Sequence, residues 1–241
     1  MTLQHQPRAL ITGASTGIGK ATAIAFAQAG LDLALVSRSQ DALEDLAQDL
    51  RQAGRQVHTY GLDLAQVDQV AVQLGKILAE VGPLDILINN AGMGYTGALI
   101  DMPLSDWQGV MNLNLTSPFQ CIQALLPQMR SQGRGTIVNI ISIAGRQAFP
   151  DWGAYCASKF GLMGLTKSLA QEERQHGIRV IAICPGAVNT SLWDTPTVAA
   201  DFDRSAMLTP EQVAQVILTA VQMPDQAVIE ELVLMPNVGT F

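Results

Sequence analysis

Tyr155 and Lys159 stand four residues apart in the segment Tyr155-Cys156-Ala157-Ser158-Lys159. On a helix that spacing brings a phenol and an ammonium onto one face. A phenol with a pKa near ~10 is a poor acid or base at neutral pH. A neighbouring cation favours the phenolate and draws its pKa toward the working range. Thirteen positions before Tyr155 lies Ser142, just past the strand-like run Thr136-Ile137-Val138-Asn139-Ile140-Ile141. A hydroxyl, a tuned phenol and a lysine are the groups that carbonyl reduction requires, given a hydride donor beside them.

The N-terminal part of the chain announces a place for that donor. Arg8-Ala9-Leu10-Ile11-Thr12 reads as a short buried strand, and Gly13-Ala14-Ser15-Thr16-Gly17-Ile18-Gly19 follows it. From Lys20 to Ala29 the composition is helical. Strand, glycine turn and helix together make a phosphate cradle. The glycines let the backbone approach a pyrophosphate, and the helix N-terminus supplies N–H groups and partial positive charge.

These groups need a scaffold that brings distant segments together. Apolar strands are expected over 8–12, 32–37, 56–61, 84–90, 135–141, 179–184 and 230–234, with helices over 17–29, 40–53, 67–81, 104–131, 152–176 and 210–222. Short, Leu-rich or β-branched runs such as Leu84-Asp85-Ile86-Leu87-Ile88-Asn89-Asn90 suit parallel strands covered on both faces. Gly30, Gly54 and Gly177 read as helix stops, and Ser39 and Thr209 as N-caps, with Pro210 at the first helical position. The alternation predicts an α/β doubly wound sheet with right-handed crossovers. Ligands in such sheets bind beyond the carboxyl ends of the strands. Gly13, Asn90, Ser142 and Pro185 all follow strands and are expected to converge there.

The chain resembles the short-chain dehydrogenase/reductase family. The resemblance rests on Thr12-Gly13-Ala14-Ser15-Thr16-Gly17-Ile18-Gly19, Asp63-Leu64, Asn89-Asn90-Ala91-Gly92, Asn114, Ser142, Tyr155 with Lys159, and Pro185-Gly186 with Thr190. These occur in family order at family-like separations over nearly the whole chain. The resemblance implies a single-domain Rossmann fold over 1–241 with seven parallel strands in the order 3-2-1-4-5-6-7. Residues 8–100 would mainly bind cofactor, and 104–241 would carry catalysis and the substrate site. Asp63 would accept from the adenine amino group, Asn90, Ala91 and Gly92 would line the adenosine side, and Asn89 would hydrogen-bond within the sheet. Pro185, Gly186, Val188 and Thr190 would hold the nicotinamide. Tyr155 would donate the proton, Lys159 would lower its pKa and reach the nicotinamide ribose, and Ser142 would hold the substrate oxygen. Asn114, preferred over Asn112 because the family pattern continues from it into Ser117-Pro118-Phe119, would anchor a water that resupplies the proton.

The end of the second strand bears on which nicotinamide is used. NAD-preferring sites place a carboxylate there; here Ser37 takes that position, Arg38 follows, and Asp32 lies at the wrong end of the strand. A guanidinium and small hydroxyls suit a 2′-phosphate, so NADP(H) is the expected cofactor. Thr16 stands where many NADP-using relatives carry a second basic residue, which leaves Arg38 nearly alone in that task.

Bulk properties narrow the classes. The 241 residues are 48% hydrophobic and 15% charged, enough to fill one large core. A net charge of −7 argues against a nucleic-acid partner. The segment Met1–Arg8 is polar, unlike a signal peptide, and no apolar run approaches the ~20 residues of a membrane helix. Cys121, Cys156 and Cys184 are scattered, as reduced cytoplasmic thiols are, and Cys156 is expected as a small filler. His5, His58 and His176 share no metal-ligand spacing.

Substrate choice is expected in Met93-Gly94-Tyr95, Ile143-Ala144-Gly145, Gln147, Trp152 and the stretch from Ser191 through Trp193 to Met207, which could close as a lid. Their apolar character favours a bulky ketone or aldehyde. Reductases of 3-oxoacyl groups on acyl carrier protein commonly end in a Thr-Gly…Asp-Gly-Gly stretch, whereas this chain ends Glu230 to Phe241 without it. An NADPH carbonyl reductase therefore ranks ahead of a 3-oxoacyl reductase, and both ahead of a non-catalytic dinucleotide sensor. Apolar faces at Ile122–Leu126 and Leu162–Leu165 either pair copies into a homodimer or homotetramer, as the family resemblance implies, or are buried inside a monomer.

Overall fold

The computed structural model describes residues 6–199 and 203–239. His5 and the start of the polar N-terminal segment, residues 200–202 of the expected lid, and Thr240 and Phe241 lie outside the described residues. Seven strands alternate with helices: β1 (Arg8–Thr12), α1 (Gly17–Gln28), β2 (Asp32–Ser37), α2 (Gln40–Gln52), β3 (Val57–Gly61), α3 (Val67–Val81), β4 (Ile86–Asn89), α4 (Leu104–Met111), α5 (Ser117–Gln132), β5 (Gly135–Ile140), α6 (Gly153–Glu173), β6 (Ile178–Pro185), α7 (Pro210–Val221) and β7 (Glu231–Leu234). All strand pairs are parallel and the order is 3-2-1-4-5-6-7.

Alternating strand residues feed two cores. Ile11, Leu33, Leu35, Ile88, Ile140 and Ile183 face α1, α2 and α7. Leu10, Val36, Leu87, Ile137 and Val180 face α3, α5 and α6. Both faces of the sheet are thus covered, and this is why β2 is buried at every position. Helix α2 meets its core with Leu43, Leu46, Ala47 and Leu50, one stripe at helical spacing. Its N-cap is Ser39, whose hydroxyl accepts from the Ala42 amide, and Thr209 with Gln212 closes a capping box ahead of Pro210.

The expected helix over 104–131 is not uniform. Helix α4 runs into a π-helical stretch at Asn112–Thr116 before α5 begins. Pro118 has no N–H to give the Asn114 carbonyl, which removes one α-helical bond where the wide turn forms. Asn114 itself is fully buried and turned toward the segment after β4.

Strand order reverses between β1 and β4, where Ile11 pairs with Ile88 and connections leave toward opposite sides. A crevice opens there beyond the carboxyl ends of the strands.

Candidate active site

A cavity of about 1020 Å³ fills that crevice. Its floor is the glycine turn after β1. Gly13 has φ +65°, and a Cβ there would come within 2.9 Å of the Ala91 Cα. A Cβ on Gly19 would lie 2.2 Å from the Gly13 carbonyl oxygen. Side chains at either position would pry the turn off α1 or off the β4 loop. Thr12 and Asn90 lash these pieces together: the Thr12 hydroxyl accepts from the Asn90 and Ala91 amides (2.9 and 3.0 Å), and the Asn90 side-chain amide donates to the Thr12 and Gly13 carbonyls (3.0 and 3.2 Å). Thr16, the N-cap of α1, makes no side-chain cap bond, so the first helical N–H groups receive no cap from it.

One end of the cavity is lined by Ser37, Arg38, Asp63 and Leu64. The Ser37 hydroxyl bonds the Ser39 backbone, and Asp63 accepts from the Ala65 amide at 3.1 Å. Arg38 is exposed and has no carboxylate within ion-pair distance among the described residues. An unmatched guanidinium beside a cradle that only glycine can form fits a phosphorylated dinucleotide.

The other end carries Ser142, Tyr155 and Lys159. Ser142 follows β5, and its hydroxyl accepts from the Ala144 amide at 3.1 Å and hydrogen-bonds Tyr155. Helix α6 places Lys159 one turn beyond Tyr155, its ammonium 5.7 Å from the ring centre and donating to the Ile140 carbonyl at 2.9 Å. A Cβ on Gly145 would lie 2.4 Å from Ile141 Cγ2 and 2.8 Å from the Lys159 carbonyl oxygen, so glycine lets the serine turn press on α6. Burial pushes the Tyr155 phenol up to about 12, opposed by its bond to Ser142, and pulls the Lys159 ammonium down to about 8. Lys159 is not among the groups that set this shift: its ammonium is turned to the Ile140 carbonyl, and desolvation is the largest cause at the phenol.

The strand-end segment after β6 closes the wall. Gly186 donates to the Leu234 carbonyl at 2.8 Å, Val188 pairs with Leu208, and the Thr190 methyl lies against Gly17.

Of the residues singled out from the sequence, Gly13, Ser15, Thr16, Gly17, Ile18, Ser37, Arg38, Asp63, Leu64, Asn90, Ala91, Gly92, Ser142, Tyr155, Lys159, Pro185, Gly186, Val188 and Thr190 line this one cavity. Gly19 and Asn114 stand behind it. Asn114 accepts from the Met93 amide (2.8 Å) and donates to the Met93 carbonyl (2.9 Å) and the Ser158 hydroxyl (3.1 Å). A Cβ on Gly92 would lie 3.2 Å from Asn114 Oδ1 and 3.7 Å from Lys159 Nζ, so the two polar groups face each other across a glycine. Asn89 bonds Asn139 in the neighbouring strand at 2.9 Å. Among the expected substrate-side residues, Met93, Ile143, Trp152, Leu192 and Trp193 line the cavity, whereas Tyr95 and Gln147 do not. The Tyr95 hydroxyl is spent on Asp106, at 3.0 Å. Phe149 also lines the cavity; its only sequence signal is an aromatic three residues before Trp152, in the loop that leads to α6.

A family model described as short chain dehydrogenase matches residues 7–198. A sepiapterin reductase from Chlorobaculum tepidum is 35% identical over 95% of this chain and 96% of its own length. A 3-oxoacyl-(acyl-carrier-protein) reductase from Thermotoga maritima is 36% identical over 87% of each chain. Among solved structures, a metagenomic short-chain oxidoreductase in complex with NADP superposes with a TM-score of 0.84 at 33% identity, covering 96% of this chain and 97% of that one. An alcohol dehydrogenase from the archaeon Thermococcus sibiricus, complexed with 5-hydroxy-NADP, gives a TM-score of 0.88 at 29% identity over 97% of both chains.

Proposed function

This chain belongs to the short-chain dehydrogenase/reductase family, and we propose that it is an NADPH-dependent enzyme reducing a ketone or aldehyde to an alcohol, with Tyr155 as proton donor. The observation that carries the reading is the convergence of Ser142, Tyr155 and Lys159 on the cavity that holds the glycine turn and Arg38 at its other end.

NADPH, when bound, supplies the hydride. The backbone of Gly13–Gly19 with Ser15, Thr16 and Ile18 would hold its pyrophosphate, Arg38 and Ser37 its 2′-phosphate, and Asp63, Leu64, Asn90, Ala91 and Gly92 its adenosine half. Pro185, Gly186, Val188 and Thr190 would hold its nicotinamide half. Ser142 orients the carbonyl oxygen, and Tyr155 delivers the proton as charge gathers on that oxygen. The Tyr155 phenol holds its proton through the neutral range and would release it only as charge develops on the substrate oxygen. Asn114, behind Gly92, would anchor a water that links Lys159 to solvent, and through it and Lys159 the proton of Tyr155 would be replaced. In this reading residues 8–100 serve mainly the cofactor and 104–241 the chemistry and the substrate. Three free, buried thiols support a cytoplasmic setting.

The test is NADPH and NADH oxidation across aldehydes, ketones and 3-oxoacyl esters, with Tyr155→Phe alongside. We expect a higher kcat/KM with NADPH than with NADH, and a kcat in Tyr155→Phe lower by about 10²–10⁴-fold with NADPH affinity kept. A preference for NADH would overturn the role of Arg38. Retention of most activity by Tyr155→Phe would remove the proton donor, and activity on no carbonyl would favour a dinucleotide sensor.

A further inference from the structure

The substrate end of the cavity is unlike the rest of it. Trp152 sits at the entry to α6, three residues before Tyr155, and its ring meets the Tyr155 ring edge-on with centroids 5.4 Å apart. Trp193, from the turn Ser191–Asp194, meets Trp152 edge-on from the other side at 5.8 Å. The three rings form a row that begins at the proposed proton donor. The row has a firm backing: a Cβ on Gly94 would lie 2.7 Å from Val198 Cγ2, 3.0 Å from Leu192 Cδ2 and 3.4 Å from the Trp152 ring.

Three of the polar groups nearby are already spent. The indole N–H of Trp193 donates to the Val188 carbonyl at 2.8 Å, the Thr195 hydroxyl to the Leu192 carbonyl at 2.9 Å, and the Thr197 hydroxyl to the Gly94 carbonyl at 2.8 Å. The charged side chains on the cavity are Arg38 and Asp63 at the far end and Lys159, whose ammonium is bound to Ile140. A carboxylate or phosphate brought to this end would lose water and meet, among the described residues, only the Lys159 ammonium, already held by the Ile140 carbonyl. A flat ring would meet the edges and faces of other rings in the geometry that aromatic pairs favour.

We propose that Trp152 and Trp193 are specificity-determining residues that select uncharged carbonyl compounds bearing an aryl group. The proposal rests on the carbonyl-reductase reading and narrows its substrate class.

Three ketones separate the possibilities: acetophenone, cyclohexyl methyl ketone, which has similar bulk without the π-system, and 3-acetylbenzoate, which adds a negative charge. In the wild-type protein kcat/KM should favour acetophenone over cyclohexyl methyl ketone by about tenfold and over 3-acetylbenzoate by more. In Trp152→Leu and in Trp193→Leu the first ratio should fall toward one, and Trp152→Phe, which keeps a ring, should retain most of it. NADPH affinity, measured by cofactor fluorescence, identifies variants that still fold. Quenching of tryptophan fluorescence by acetophenone in the wild-type complex with NADP⁺ reads the contact without any variant. Equal turnover of the two neutral ketones, survival of the ratio in both leucine variants, or efficient turnover of the carboxylate would overturn the proposal while leaving carbonyl reduction standing. Absence of NADPH oxidation with every carbonyl tested would defeat both.

Discussion

Burial pulls the Lys159 ammonium from an ordinary value of 10.5 down to about 8, so the folded protein bears a cost for holding that charge at neutral pH. Between about 8 and 10.5 the unfolded chain keeps the proton while the folded chain has lost it. Folded stability therefore rises with pH across that window, and the full cost remains below it. Lys159→Met should lose activity by at least about 10²-fold yet unfold at a higher temperature than the wild type at pH 7. That advantage should shrink as the pH passes from 8 to 10.5, which thermal melts at a series of pH values would read. A variant less stable at pH 7, or an advantage that grows with pH, would contradict this account. At this scale the sequence was legible for neighbours and not for energies. The four-residue spacing correctly makes Tyr155 and Lys159 companions on α6. How much water the fold removes from each depends on Ile140, Ser142 and the turn at Gly145, which sequence spacing does not describe.

The π-helical stretch Asn112–Thr116 is the element on which the site's backing depends. It turns Asn114 inward to satisfy both the amide and the carbonyl of Met93, in the segment that leaves β4 toward the cavity. Asn114→Ala would strand the amide and the carbonyl of Met93, while the Ser158 hydroxyl keeps its bond to the Tyr155 carbonyl. We expect a loss of about 3 kcal/mol, from 1–3 kcal/mol per stranded group, read as a lower urea midpoint at unchanged m-value, together with slower turnover. Asn112→Ala is the control and should change stability far less. Strands and most helices were legible within a residue or two because apolar periodicity and caps fix them locally, as with Ser39 and Thr209. The wide turn was not, since its one local sign is Pro118, a residue that also suits an ordinary first turn. The described residues of the stretch from Ser191 to Met207 include only short 3₁₀ turns, at Ser191–Asp194 and Arg204–Ala206, and so offer no periodicity to read.

Across the whole molecule, α5 and α6 cover one face of the sheet yet leave Phe119 and Phe160 41% and 45% exposed. We expect these helices to pair between copies, so light scattering at micromolar concentration should give an even multiple of the 25.7 kDa chain. Phe119→Asp with Phe160→Asp should bring the mass down to a single chain, whereas a single-chain mass for the wild type would end the idea. No helix among the described residues is long and apolar enough to cross a membrane. The strand order carries a consequence for the way the protein is made. Strands β1, β2 and β3 leave the ribosome first and extend in one direction, so one side of β1 waits for β4, and Ala9 meets Ile86 only after the intervening chain has emerged. At translation speeds of 5–20 residues per second that wait lasts roughly 4–15 s. For those seconds Leu10 and Ile11 stand on an open ladder of amides and carbonyls, the kind of unpaired edge on which nascent chains aggregate unless it is covered.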